Sequence, residues 1–160
     1  MPVEENGHSA NVGAVGVTNV GVVIVTHVDY GASLLRAAEH ILGPIQDCVC
    51  IQVDINNDVG ETVQRLKDAV RLLDNGSGVL VLTDMFGGTP TNLSLSLLGG
   101  NTNLEVLTGV NLPMLLKVCG SRKKPLLELA DLACEAGREG IAIAGEILRS
   151  RGKRVEKTEA

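Results

Sequence analysis

The chain has no tryptophan and only one phenylalanine (Phe86) and one tyrosine (Tyr30), so its core must be aliphatic, built from Leu, Val, Ile and Ala. Aromatic platforms for stacked bases are missing, and a net charge of −5 leaves no basic surface for a phosphate backbone. Both count against a nucleic-acid partner. No apolar run spans a bilayer either: the stretch from Val12 to Val25 is broken by Thr18 and Asn19 and falls short of the ~20 residues needed. The start, Met1-Pro-Val-Glu-Glu, is acidic where a secretion signal is basic. Without export, the sequons Asn75-Gly-Ser77 and Asn92-Leu-Ser94 carry no meaning. A cytoplasmic protein is the expectation.

Cofactor and metal devices are missing as well. Cys48, Cys50, Cys119 and Cys134 form no C-x-x-C pair. A domain of 160 residues needs no disulfide staples, so the four read as reduced thiols acting as small hydrophobes. The chain lacks G-x-x-x-x-G-K-[ST] and has no G-x-G-x-x-G after its first strand, which argues against nucleotide and dinucleotide folds. The segment Asp54-Ile-Asn-Asn-Asp58 starts like a calcium loop but has Val59 where glycine is required and Arg65 where glutamate is required. A serine nucleophile elbow is absent. The first strand ends in Thr-His, which lacks the acidic pair of a magnesium-binding receiver. No metal and no cofactor are expected.

What is present is an alternation of short β-branched runs with helical patterns. Residues 1–19 are small, polar and without period, and read as an arm; 151–160 read as a charged tail. Between them, 20–150 form one domain. Strands are expected at Gly21–His27, Cys48–Val53, Val79–Thr83 and Leu104–Thr108. The first helix carries Leu34, Leu35, Ala37, Ala38, Ile41 and Leu42 on its apolar stripe and stops at Gly43-Pro44. The second runs from about Val59 to Leu73 behind an Asp58/Glu61 capping pair. The third opens with Thr89 as capping hydroxyl before Pro90 and ends at Gly99-Gly100. Asn111 caps a short helix through Val118, and a longer amphipathic pattern runs from Pro125 to about Arg149. The order predicts an α/β fold with a doubly wound, mostly parallel four-stranded sheet and flanking helices.

Two strand ends carry the chemistry. The apolar run Gly21–Thr26 delivers His27 to the C-terminal edge of the sheet, where ligands of open α/β sheets collect. The run Val79–Thr83 delivers Asp84, followed by Gly87-Gly88-Thr89-Pro90. A carboxylate that accepts one imidazole N–H leaves the other nitrogen free as a nucleophile. Gly87, Gly88 and Thr89, at a helix start, present unpaired backbone N–H groups suited to phosphoryl oxygens. The set points to a phosphohistidine site, with His8 and His40 read as solvated bystanders. The bland readings are a solvated histidine, a helix-capping aspartate and an ordinary turn.

Val25-Thr-His27, Thr83-Asp-Met-Phe-Gly-Gly-Thr-Pro-Thr-Asn92, Gly109-Val-Asn-Leu-Pro-Met-Leu115 and Gly137-Arg-Glu-Gly140 resemble the mannose-class EIIA domain of the bacterial phosphoenolpyruvate-dependent sugar phosphotransferase system. The resemblance covers about 20–150. It implies that His27 accepts a phosphoryl group from phospho-HPr and passes it to an EIIB protein, with Asp84 orienting the ring. It also implies a homodimer with an extra strand exchanged between subunits, and membrane contact only indirectly, through a permease complex. The Gly-Gly-Thr-Pro turn separates it from the related domain that serves dihydroxyacetone kinase. Two departures stand out. Val28-Asp29-Tyr30-Gly31 follows the histidine where similar domains carry small residues, and Asp29 places a carboxylate near a site for a dianion. The 160 residues also hold no EIIB, EIIC or EIID segment, so a sugar-specific transporter role is not expected within them. The residues leave open a regulatory module whose phosphorylation state gates binding without sugar flux, or a flavodoxin-like small-ligand domain.

Overall fold

The computed structural model of the chain describes residues 18–54, 56, 58–100 and 103–149. Four strands, β1 (Gly21–His27), β2 (Cys48–Val53), β3 (Val79–Thr83) and β4 (Leu104–Thr108), form one parallel sheet in the order β2-β1-β3-β4. All four occupy the spans expected from their apolar runs. The helices are α1 (Tyr30–Leu42), α2 (Val59–Leu73), α3 (Thr89–Leu95), α4 (Leu112–Ser121) and α5 (Leu126–Glu139). Because β2 and β3 flank β1 on opposite sides, the winding reverses between β1 and β3. That reversal opens a crevice beyond the strand ends.

Strand alternation sorts the core. Val22 and Ile24 with Leu80 and Leu82 face α1, α4 and α5, while Val23 and Val25 with Val79 and Val81 face α2. All eight are fully buried, each contributing roughly 1.5–3 kcal/mol. Both faces of the sheet are covered, which is why β1 and β3 read as continuous apolar runs. His27 shares the parity of Val23 and Val25, so its side chain leaves the sheet toward α2 and α3.

The N-terminal edge of the sheet is tied by Arg122, which is only 7% exposed. Its guanidinium donates from Nε to Val20 O at 2.8 Å, from Nη1 to Gln46 O and from Nη2 to Asp47 O at 3.2 Å. Thr18 and Asn19, grouped with the arm by composition, are also fixed. Ser77 Oγ donates to Thr18 O at 3.1 Å and Asn75 Nδ2 to Asn19 O at 3.0 Å. The rest of the arm and the tail at 151–160 lie outside the described residues.

The four cysteines are unpaired thiols. Burial raises the thiol of Cys48, helped by Cys50 and Cys119, and pushes Cys50 up to about 11, so both stay protonated. Among the described residues no three potential ligands gather as a metal site, and no helix is long and apolar enough to cross a membrane.

Four expectations about the helices need correction. The third helix ends at Leu95, not Gly99-Gly100, and only a 3₁₀ turn, Leu98–Gly100, follows. Ser94 Oγ takes Pro90 O at 2.7 Å and Ser96 Oγ takes Leu93 O at 2.6 Å, so serines compete for the helix carbonyls. Its cap is the backbone of Gly88, with no side-chain cap bond, and Thr89 is already inside the helix. The amphipathic pattern after Pro125 is not one helix: α5 stops at Glu139, and 144–149 form a separate exposed helical stretch. Gly137 and Gly140 are packing positions, since a Cβ would lie 2.8 Å from Met114 Cε and 2.5 Å from Pro113 Cγ. Finally, Ile41 and Leu42, expected on the buried stripe of α1, are exposed: among the described residues the last turn of α1 has no neighbour covering them, and the buried contact of the helix is centred on Gly31 and Ala38.

Candidate functional site

The C-terminal edge brings His27 and Asp84 together from strands that are neighbours in the sheet. Asp84 Oδ2 accepts from the His27 backbone N–H at 2.8 Å and meets Nδ1 of the ring at 2.7 Å. Its other oxygen, Oδ1, accepts from Met85 N at 2.9 Å. A carboxylate only accepts, so Nδ1 carries a proton, and in the neutral ring Nε2 is left with the lone pair. The His27 side chain is 45% exposed and that of Asp84 13%. Partial burial raises the Asp84 carboxyl, but the His27 backbone bond, the ring bond and charge, and Met85 N–H outweigh it. The group is held below the usual carboxylate range and stays ionised.

The loop beneath Asp84 is braced by threonines. Thr91 Oγ1 donates to Met85 O at 2.6 Å and lies 2.7 Å from Thr83 Oγ1, both on the buried side. Val110 N donates to Thr83 O at 2.9 Å, so the end of β3 is fixed from the β4 side as well. Gly87 takes φ +80°, which reverses the chain toward α3. Gly88 sits so close to the ring that a Cβ would lie 3.0 Å from His27 Cε1. Glycine is favoured there by the close approach of the ring and not by its dihedrals.

On the other side, the turn from β1 to α1 is only two residues long. Thr26 Oγ1 accepts from Gly31 N at 2.8 Å, and Gly31 has no room for a Cβ against Ile24 and Thr26. Val28 absorbs the reversal at φ +42° while its N–H continues the ladder to Val53 O at 3.1 Å. A β-branched residue in the left-handed region is a genuine outlier, costing of order 1–3 kcal/mol. Its side chain is half exposed, at 54%. Asp29 is exposed, and its carboxylate accepts from Ser33 Oγ at 3.4 Å. The phenol of Tyr30 reaches across to donate to Val110 O at 2.9 Å.

Beside His27 lies a cavity of about 280 Å³ lined by Val53, Asp54, Val59, Thr62, Thr89 and Leu93. Apart from Thr89, its lining had no signal in the sequence, since Val53 and Leu93 read as ordinary strand and helix positions. The cavity takes its lining from β2, α2 and α3, which the chain brings together only in the fold. His40 is exposed on α1, away from this edge, and His8 lies outside the described residues.

Residues 21–131 match the model of the family EIIA-man, PTS system fructose IIA component. The chain is 32% identical over 124 residues to the PTS system mannose-specific EIIAB component of Escherichia coli, covering 76% of this chain and 38% of that protein. It therefore spans well under half the length of that relative. It is 28% identical to the PTS system fructose-specific EIIA component of Bacillus subtilis, over 71% of this chain and 76% of that one. The crystal structure of phosphotransferase system component EIIA from Streptococcus agalactiae superposes with a TM-score of 0.73 at 29% identity, covering 79% of this chain and 98% of its own. Sheet order, strand spans and the family match across most of the domain agree: the chain belongs to the EIIA-man family of PTS system fructose IIA components.

Proposed function

We propose that this chain is a phosphocarrier of the sugar phosphotransferase system, taking a phosphoryl group onto His27 from phospho-HPr and handing it to an EIIB partner. The observation that carries the reading is the 2.7 Å contact of Asp84 with Nδ1, which leaves Nε2 as the nucleophile at a solvent-accessible sheet edge. In the forward step the Nε2 lone pair attacks phosphorus. The bond to the donor breaks, and its electron pair leaves with the donor. The ring, still protonated at Nδ1, becomes cationic, and the ionised Asp84 stabilises that charge. Transfer to EIIB runs the same step in reverse. Gly87, Gly88 and Thr89 are the phosphate-binding turn: their loop lies against the ring, and the first N–H groups of α3 have no helical acceptor.

The same reading includes a homodimer. Among the described residues β4 is an edge strand of the sheet, and Ile141 and Ile143, just past α5, are strongly exposed. An edge strand and exposed apolar residues on one chain suit an extended segment exchanged with a second copy. Contact with the membrane would then be indirect, through a permease complex, and the carrier itself would work in the cytoplasm.

The test is intact mass after incubation with phosphoenolpyruvate, enzyme I and HPr. One phosphoryl group is expected, acid-labile and base-stable as a phosphoramidate, and absent from His27→Ala. Labelling that survives in His27→Ala overturns the assignment.

A further inference from the structure

Val28 is anomalous twice over. It holds a left-handed dihedral that glycine would take without strain, and it leaves its isopropyl group 54% exposed. Packing inside the chain does not repay the strain, because the side chain is not buried. Aiming the histidine does not require it either: Asp84 already fixes both the backbone N–H and the ring of His27. What remains is the surface itself. Val28 is covalently next to His27, and Val59 and Met85, also exposed, border the same ring. Val59 lines the cavity that His27 lines, and Met85 Cγ meets Gly88 at the point where Gly88 meets the ring.

We infer that Val28 is a specificity-determining residue for the phosphoryl donor, an apolar contact that the donor protein covers as it brings phosphorus to Nε2. The inference rests on the phosphocarrier reading. A protein that places a phosphoryl group within bonding reach of Nε2 closes over the sheet edge on which the exposed Val28 follows His27 in the chain. The transfer also needs water kept from the phosphorus, which an apolar rim of Val28, Val59 and Met85 favours. A small phosphoryl donor reaches the same nitrogen without covering that rim. The donor face that fits is therefore apolar around its own phosphorylated group.

The experiment compares wild type, Val28→Gly and Val28→Asn with two donors, phospho-HPr and phosphoramidate, by quenched time courses of His27 labelling. Glycine and asparagine both accept the left-handed backbone, so each variant keeps the turn while losing the apolar group. Thermal unfolding midpoints no lower than wild type would show that the turn is kept. With phospho-HPr, KM is expected to rise roughly tenfold in both variants, at nearly constant kcat. With phosphoramidate, all three proteins should label at the same rate. An unchanged KM for phospho-HPr overturns the role of Val28. Phosphoramidate labelling that slows in step with HPr overturns it too, and makes Val28 a residue that positions the ring. Wild type that takes no label from phospho-HPr overturns the phosphocarrier reading itself, and this inference with it.

Discussion

The two edges of the sheet solve opposite problems with one charged or chargeable side chain each. At the N-terminal edge, Arg122 is almost wholly buried and each of its three guanidinium nitrogens donates to a backbone carbonyl, from two segments. At the C-terminal edge, His27 is nearly half exposed, with one ring nitrogen bonded and the other open. The first arrangement saturates polar groups and therefore only holds. The second leaves one group unsatisfied by design of the fold and therefore reacts. Stability and chemistry are thus placed about one strand length apart, on opposite ends of β1, and are expected to respond to mutation separately.

Substitution of Asp84 by Asn should have the largest effect, and on transfer alone. The amide no longer enforces the Nδ1–H tautomer, and labelling of His27 by phospho-HPr should slow by about 10⁴-fold, as for the aspartate of a catalytic triad. Circular dichroism and the melting midpoint should change little. A rate within tenfold of wild type would break the contrast at its reactive end.

Next comes Arg122→Ala, with the reverse signature. Buried carbonyls lose their donors, and the domain should lose about 3–5 kcal/mol in urea unfolding. The folded fraction should label at His27 at the wild-type rate. Slow labelling of the folded fraction would mean that the two edges are coupled through β1.

The smallest effect is expected from Gly88→Val. The added side chain meets His27 Cε1 and Met85 Cγ, and blocks the approach of phosphoryl oxygens to the turn. Losing one charge-assisted bond costs about 1.5–3 kcal/mol, so labelling should slow by roughly ten- to a hundredfold, with a smaller loss in melting midpoint. Full, fast labelling would make the turn purely structural.

Strand spans were legible in the sequence because β1 and β3 are buried on both faces and so read as unbroken aliphatic runs between turn residues. His27 and Asp84 were legible as candidates for the same reason: each is the first polar group with chemistry after such a run. Arg122 was not. Within Arg-Lys-Lys it reads as a solvated charge run, and its partners lie 75, 76 and 102 residues away. No local pattern encodes those carbonyls. The end of α3 was missed because serine side chains, not the glycines, decide it. The strain at Val28 was missed because nothing in a β-branched residue announces a positive φ; only the two-residue length of the turn requires it.

Tyr30 has a consequence of another kind. It is the chain's only tyrosine, there is no tryptophan, and its phenol is anchored to Val110 O three residues along the chain from His27. Light absorbed near 280 nm is therefore emitted almost entirely from one place, the first residue of the helix that follows the reactive histidine, whose hydroxyl is bonded just past β4. The molecule carries its own single-position fluorophore. A partner that seats on this edge, or a charge that arrives on the imidazole, alters the surroundings of that one emitter without any label being attached.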